Sequence, residues 1–186
     1  AHGRKRMLEV ESKRIIAARV AEMVPDGAAL FLDVGTTVEA AAAALNARSG
    51  LQVFTNSMRA ALRLDPSRHA VLVLGGQVSG TDGSLAGEEV VEMIARLDLD
   101  WALLACSAVS EGPLGRRAMD FDLGKIAVKR AAMAAAHRTA LLVARAKFEL
   151  RGRVEIAPLS AFDRVLNEDK MHFGSVSDAE KDRVRP

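Results

Sequence analysis

The chain has 186 residues, 49% of them hydrophobic, which is enough for one substantial core and by length fits one domain rather than two. Lys and Arg total 26 against 24 Asp and Glu, a formal charge of +2, too small for an electrostatic grip on nucleic acid by this segment alone. A single cysteine, Cys106, excludes an internal disulfide framework, no Cys/His cluster has metal-ligand spacing, and no stretch approaches the roughly 20 apolar residues of a membrane span.

A reducing, cytoplasmic setting fits this cysteine usage best, and no cofactor, metal or membrane partner is expected. Residues 1–11 open with the basic Arg4-Lys5-Arg6, lack the apolar core of a signal peptide, and read as a linker or expression remnant; residues 12–186 read as the domain. Apolar positions at Leu8, Ile15, Ile16, Ala18, Val20 and Met23 predict a helix, which Pro25-Asp26-Gly27 stops. Residues 28–32 predict a strand, followed by the loop Asp33-Val34-Gly35-Thr36-Thr37 and an alanine-rich helix to Leu45.

The same unit returns in residues 51–54, Thr55-Asn56-Ser57 and a second helical face through Leu64, which Pro66 breaks. A third strand over 70–74 stops at Gly75-Gly76, and a polar loop to Gly83 leads to a helix starting near Gly87 and running through Ala95. A fourth strand over 99–105 opens into a loop from Cys106 to Gly115, before a long helix from roughly Asp122 to His137. A fifth strand over 139–143, a shorter sixth over 161–166 and a helix start at Ser177–Glu180 complete the pattern. Continuous apolar strands separated by helices predict an α/β fold, a mainly parallel open sheet covered by helices on both faces.

In such sheets ligands sit outside the carboxyl ends of the strands, where helix N-termini offer unpaired N–H groups to anions. Gly35 permits close backbone approach, and Thr36 and Thr37 can donate hydroxyl hydrogen bonds, although either threonine could simply cap a helix. Thr55, Asn56 and Ser57 carry the same two readings, and Gly75-Gly76 could be only a turn. Lys147, after the fifth strand, offers a charge to a phosphate or remains solvated surface, with Arg145 as a competitor. Asp33 could meet sugar hydroxyls or orient a loop. Glu88 and Glu89 read as helix N-terminal charge, Cys106 as a buried small hydrophobe and Trp101 as core. The convergence of several polar loops at one sheet edge points to a pocket more strongly than any one of them.

Gly35-Thr36-Thr37, Thr55-Asn56-Ser57, Leu74-Gly75-Gly76, Leu85-Ala86-Gly87, Ala127-Val128-Lys129-Arg130 and Lys147-Phe148 follow the order of the DeoR family effector domain, which this chain resembles from Ser12 to Asp169. The resemblance implies a fold similar to ribose-5-phosphate isomerase and glucosamine-6-phosphate deaminase, used to sense sugar phosphates. It also implies an N-terminal winged helix-turn-helix that contacts operator DNA and is not among these residues, and a homo-oligomer, dimer or tetramer. Thr36, Thr37, Asn56, Gly75, Gly76 and Lys147 are the implied pocket residues, with Asp33, Gly35, Thr55, Ser57 and Gly87 beside them as ligand-binding candidates. Against the family pattern, Ala144-Arg145-Ala146 and Lys125 depart toward positive charge near the pocket, and Glu168-Asp169 stands where Thr-Asp is customary; the departures point to a more anionic ligand or to a lost one. A non-enzymatic sensor leads, and a sugar-phosphate isomerase or deaminase is the alternative. Asp33, Glu111, Asp120 and Asp122 are its acidic candidates, with no evident acid–base pair among them.

Overall fold

The computed structural model describes residues 2–169, so the helix start expected at Ser177–Glu180 lies outside the described residues. Helix α1 spans His2–Met23 without a break, so the stretch expected to be a linker continues the first helix toward the N-terminus. Toward its C-terminal end Ile16, Ala17 and Val20 are buried, whereas Met7, Leu8 and Val10 are exposed. Strand β1 (Ala29–Leu32), helix α2 (Thr36–Ala44), strand β2 (Gln52–Thr55), the one-turn helix α3 (Met58–Ala61) and strand β3 (Ala70–Val73) follow as the apolar runs predict.

Two segments expected to be loops are hairpins. Strands β4 (Gln77–Ser79) and β5 (Ser84–Ala86) pair antiparallel between β3 and helix α4 (Glu88–Ile94). After strand β6 (Leu99–Leu104), strands β7 (Ala108–Gly112) and β8 (Gly115–Asp120) pair antiparallel, turning at Gly112 and Gly115. Helix α5 (Leu123–Ala135) is capped by the Asp122 carboxylate, which accepts the Lys125 N–H at 3.1 Å. Strand β9 (Ala136–Leu142) starts directly at its end, three residues earlier than the apolar run at Thr139 suggests. Strand β10 (Val154–Pro158) joins β8 to make a three-stranded antiparallel sheet, and β11 (Arg164–Leu166) closes the main sheet.

The main sheet has six strands in the order β11-β9-β6-β1-β2-β3, every adjacent pair parallel. Side chains of a strand alternate between faces, and here the alternation sorts the core into two layers. Phe31, Ala102, Leu104, Leu141 and Val143 meet α4, α5 and the small antiparallel sheet. Leu30, Leu32, Trp101, Leu103, Ala140 and Leu142 meet α1, α2 and α3 on the opposite face. Covering both faces is what lets the central strands be continuously apolar. Trp101 is core as expected, with the Arg138 guanidinium 5.8 Å from its ring centre.

Strand order fixes where a ligand can sit. The chain lays down β1, β2 and β3 in one direction, then returns to place β6, β9 and β11 on the other side of β1. The loops leaving β1 and β6 therefore diverge to opposite faces, and a crevice opens between them at the carboxyl edge of the sheet.

Candidate functional site

That crevice holds a cleft of about 180 Å³, lined by Gly35, Thr36 and Thr37 after β1, Cys106 and Ser107 after β6, and Ala144 and Lys147 after β9. Asp82, Asp120, Lys125 and Lys129 add charged groups to its wall. Gly35 has φ +130 and is the N-terminal flank of α2; a Cβ there would lie 3.5 Å from the Ala105 Cβ, so backbone conformation rather than space selects glycine. No side chain caps α2. The first N–H groups of this helix have no partner within it and face the cleft with the positive end of the helix dipole behind them.

Lys147 stands on the short 3-10 turn Arg145–Glu149 that follows β9, held by its own N–H donating to the Ala144 carbonyl at 2.9 Å. Among the described residues it is the lining lysine without a carboxylate partner. Arg145, expected as its competitor, turns away: its guanidinium pairs with Asp169 at 3.1 Å, and its side chain is 73% exposed.

The other two lysines are committed. Lys129 is buried in α5 and its ammonium bonds Asp33, with Asp120 Oδ2 3.8 Å away. Asp33, also buried, accepts the Ala105 N–H at 2.9 Å through the same oxygen, so one carboxylate ties the end of β1 to the end of β6 and to α5. Its second oxygen is buried without a hydrogen-bond partner. Asp33 thus lies beneath the cleft and holds its floor. Asp120 accepts hydrogen bonds from the Ser107 hydroxyl and the Phe121 N–H, both at 2.8 Å.

Lys125 bonds Asp82 at 2.5 Å. Burial works against the charge of Lys125, but the hydrogen bond to Asp82 and the negative charges of Asp82, Asp122 and Asp120 together outweigh it and raise the lysine above its ordinary range. Burial likewise pushes the Asp82 carboxyl up, and the hydrogen bonds it accepts from Lys125 and Ser84 overcome that and hold it at about 2. The positive excess expected from Lys125 and Arg145 is therefore absent among the described residues: one lysine is neutralised by Asp82, and the arginine is outside the lining. Burial pushes the Cys106 thiol up to about 12, so at neutral pH it is an inert part of the wall.

The remaining expected residues build supports. The Thr55 hydroxyl donates to the Leu32 carbonyl at 2.6 Å and accepts the Ser57 N–H, joining the ends of β1 and β2. Ser57 caps α3 by accepting the Ala60 N–H at 3.1 Å. Asn56 pairs with Leu85 of β5 through both its side chain (3.0 Å) and its carbonyl (2.8 Å). These contacts fix the β4–β5 hairpin, and the hairpin carries Asp82 over the cleft. Gly76 is required by packing, since a Cβ would come within 2.6 Å of Val90; Gly75 has open space around it, and Gly87, with φ +134, begins α4. Thr55, Asn56, Ser57, Gly75, Gly76 and Gly87 are all outside the cleft lining: the first five follow β2 and β3, to one side of the crevice between β1 and β6, and Gly87 follows β5. Asp82 and Lys129 were not expected as lining residues; Ser107 was expected only as part of the loop after β6, and Asp120 only as an acidic candidate of the enzyme alternative. The i, i+4 spacing of Lys125 and Lys129, which puts both on one helix face, was the legible signal for Lys129.

The family described as the DeoR C terminal sensor domain matches residues 8–169. The chain is 34% identical over 169 residues to the glycerol-3-phosphate regulon repressor of Escherichia coli K12, covering 90% of this chain and 65% of that protein. It is 29% identical to the HTH-type transcriptional repressor CsqR of the same organism, over 91% of this chain and 64% of that one. The chain thus spans just under two thirds of the length of these curated relatives. Among solved structures, ribose 5-phosphate isomerase A from Methanocaldococcus jannaschii superposes with a TM-score of 0.52 at 17% identity, over 73% of this chain and 53% of that one. The eIF2B beta subunit from Chaetomium thermophilum superposes with a TM-score of 0.61 at 15% identity, over 90% and 52%. At these identities the two structures establish the shared α/β architecture alone.

Proposed function

The chain belongs to the DeoR family, as its C-terminal sensor domain, and we propose that it binds a small phosphorylated sugar or related metabolite in the cleft between β1, β6 and β9. In this reading Gly35, the N–H groups opening α2, the Thr36 and Thr37 hydroxyls and Lys147 hold the phosphate. Ser107 and Asp120 meet hydroxyl groups. The single observation that carries it is the uncapped start of α2 facing the same cleft as a lysine with no acidic partner among the described residues. Fixed N–H donors and one mobile ammonium are the arrangement that an anionic, tetrahedral group satisfies.

Binding would matter by shifting the balance between two arrangements of the regulator, which requires different affinity for each. The two relatives compared above are named as repressors, so occupancy of the cleft is proposed to control DNA contact by a domain of the longer regulator. Self-association belongs to the same proposal. Among the described residues strand β3 pairs with β2 alone; it contains no charged residue and exposes Leu72 and Val73. Such an edge is a template for a second strand; Leu72→Lys is expected to lower the assembly state in sedimentation, and an unchanged state would remove β3 from the interface.

A thermal-shift series with sugar monophosphates, their unphosphorylated parents and inorganic phosphate tests the ligand class. A ligand bound only by the native state raises apparent stability by RT ln(1 + [L]/Kd), about 2.7 kcal/mol at a hundredfold excess over Kd. Stabilisation by phosphorylated compounds alone, lost in Lys147→Ala, is the expected result. Equal stabilisation by the unphosphorylated parents would contradict the phosphate assignment, and chemical turnover of a bound sugar phosphate would favour an isomerase or deaminase instead.

A further inference from the structure

We propose that the Asp82–Lys125 pair is a charge filter: it makes the cleft favour ligands with one phosphate and an otherwise uncharged, hydroxyl-bearing body, and disfavour ligands with a second anionic group. The inference rests on the phosphate-binding reading of the same cleft and adds what its opposite wall selects.

The two walls come from opposite faces of the sheet. The α2 side belongs to the layer of α1 and α3, whereas Lys125 and Lys129 project from α5, which packs with α4 on the other face. A ligand with its phosphate on the α2 side therefore places its far end against α5 and the β4–β5 hairpin. On composition alone that wall looks cationic, with two lysines one helical turn apart. Its charges are already matched: Lys129 by Asp33 and, farther off, Asp120; Lys125 by Asp82. Asp82 is held for this task by its own hairpin, accepting the Ser84 N–H at 3.1 Å and the Ser84 hydroxyl at 2.7 Å.

A second phosphate or a carboxylate arriving there meets two carboxylates, Asp82 and Asp120, and must displace Asp82 to reach Lys125. A hydroxyl group meets the same carboxylates as acceptors and displaces nothing. The filter is the anion already present in the hairpin. Neutralising it leaves Lys125 free and pointed at the cleft, so Asp82→Asn converts a wall that repels a second anion into one that attracts it.

The experiment is calorimetric titration of the full chain with inorganic phosphate, ribose 5-phosphate and ribose 1,5-bisphosphate, for the wild type, Asp82→Asn, and the double variant Asp82→Asn/Lys125→Gln. The wild type is expected to bind the bisphosphate no more tightly than the monophosphate. Asp82→Asn is expected to shift that preference toward the bisphosphate by about tenfold or more, the worth of one charge-assisted contact, and the double variant to lose the shift. A wild type preferring the bisphosphate tenfold, or a preference unmoved by Asp82→Asn while inorganic phosphate still binds, would overturn the filter and leave the phosphate site standing. No saturable binding of any of the three compounds by the wild type would overturn the phosphate reading itself, and the filter with it.

Discussion

Lys129 shows how far a single residue governs this site. Its ammonium is 1% exposed with its residue and answers a carboxylate, Asp33, that is equally buried. A buried pair adds little over apolar packing, yet removing one partner strands the other charge at a cost of about 3–5 kcal/mol. Lys129→Ala is therefore expected to lose stability in that range in urea unfolding. Lys129→Met/Asp33→Leu should recover much of the loss, because neither charge then remains; a single-variant loss under about 1 kcal/mol would contradict this role. Asp82 is a milder case at the opposite extreme of exposure. Its carboxyl is lowered in the folded state, from 3.8 to about 2, so its contribution is fully present above 3.8 and disappears as pH falls toward 2. The side chain is 45% exposed, and solvent screening limits the effect to below about 1 kcal/mol. The stability gap between wild type and Asp82→Asn should accordingly stay level at neutral pH and close between pH 3.8 and 2; a gap that widens on acidification would refute the sign. None of this pairing was legible beforehand. Lys125 lies 43 residues from Asp82 and Lys129 lies 96 from Asp33, and no local pattern announces a partner at that distance.

Elements were legible where apolar residues run together. Strands β1 and β6 and the second half of β9 do so because helices cover both of their faces, and the edge strand β3 is all apolar although it is largely exposed. Strands β4 and β8 do not, since Gln77–Ser79 is exposed and β8 begins Gly115-Arg116-Arg117 before turning inward at Ala118 and Met119. Only the last half of β8 carries core residues, too short a stretch for a period of two to stand out. The loop after β11 was equally unreadable as a strut. Glu168 accepts the Ser12 hydroxyl of α1 at 2.9 Å and the Arg145 N–H at 3.0 Å, linking the first helix to the turn that carries Lys147. Arg19 of α1 adds bonds to the carbonyls of Asn167 and Glu168. Glu168→Ala should free that turn, seen as faster amide exchange at 145–147 together with severalfold weaker phosphate binding. Exchange that stays at the wild-type rate would show the turn is held by other contacts.

At the scale of the whole molecule, one topological fact organises the account. The chain reverses its direction of strand addition at β1, and the reversal opens the crevice. Reading strands and loops in order predicts that every strand-end loop shares an edge, which is true. It does not predict strand order, and strand order is what separates Gly35, Thr36, Thr37 and Lys147, which line the cleft, from Thr55, Asn56, Ser57, Gly75, Gly76 and Gly87, which support it. The family match over residues 8–169 and the superposed isomerase and eIF2B folds agree with this architecture. The claim on which the functional reading depends is narrower: a phosphate sits on the N–H groups that open α2. Following the backbone amide resonances of the chain during a titration with inorganic phosphate and then a stabilising sugar phosphate tests it directly. Thr36, Thr37 and Val38 are expected to shift most and to saturate together with the lysine ammonium of Lys147, while the amides of Thr55, Asn56 and Ser57 move little. Saturable binding that leaves Thr36, Thr37 and Val38 unmoved would contradict it.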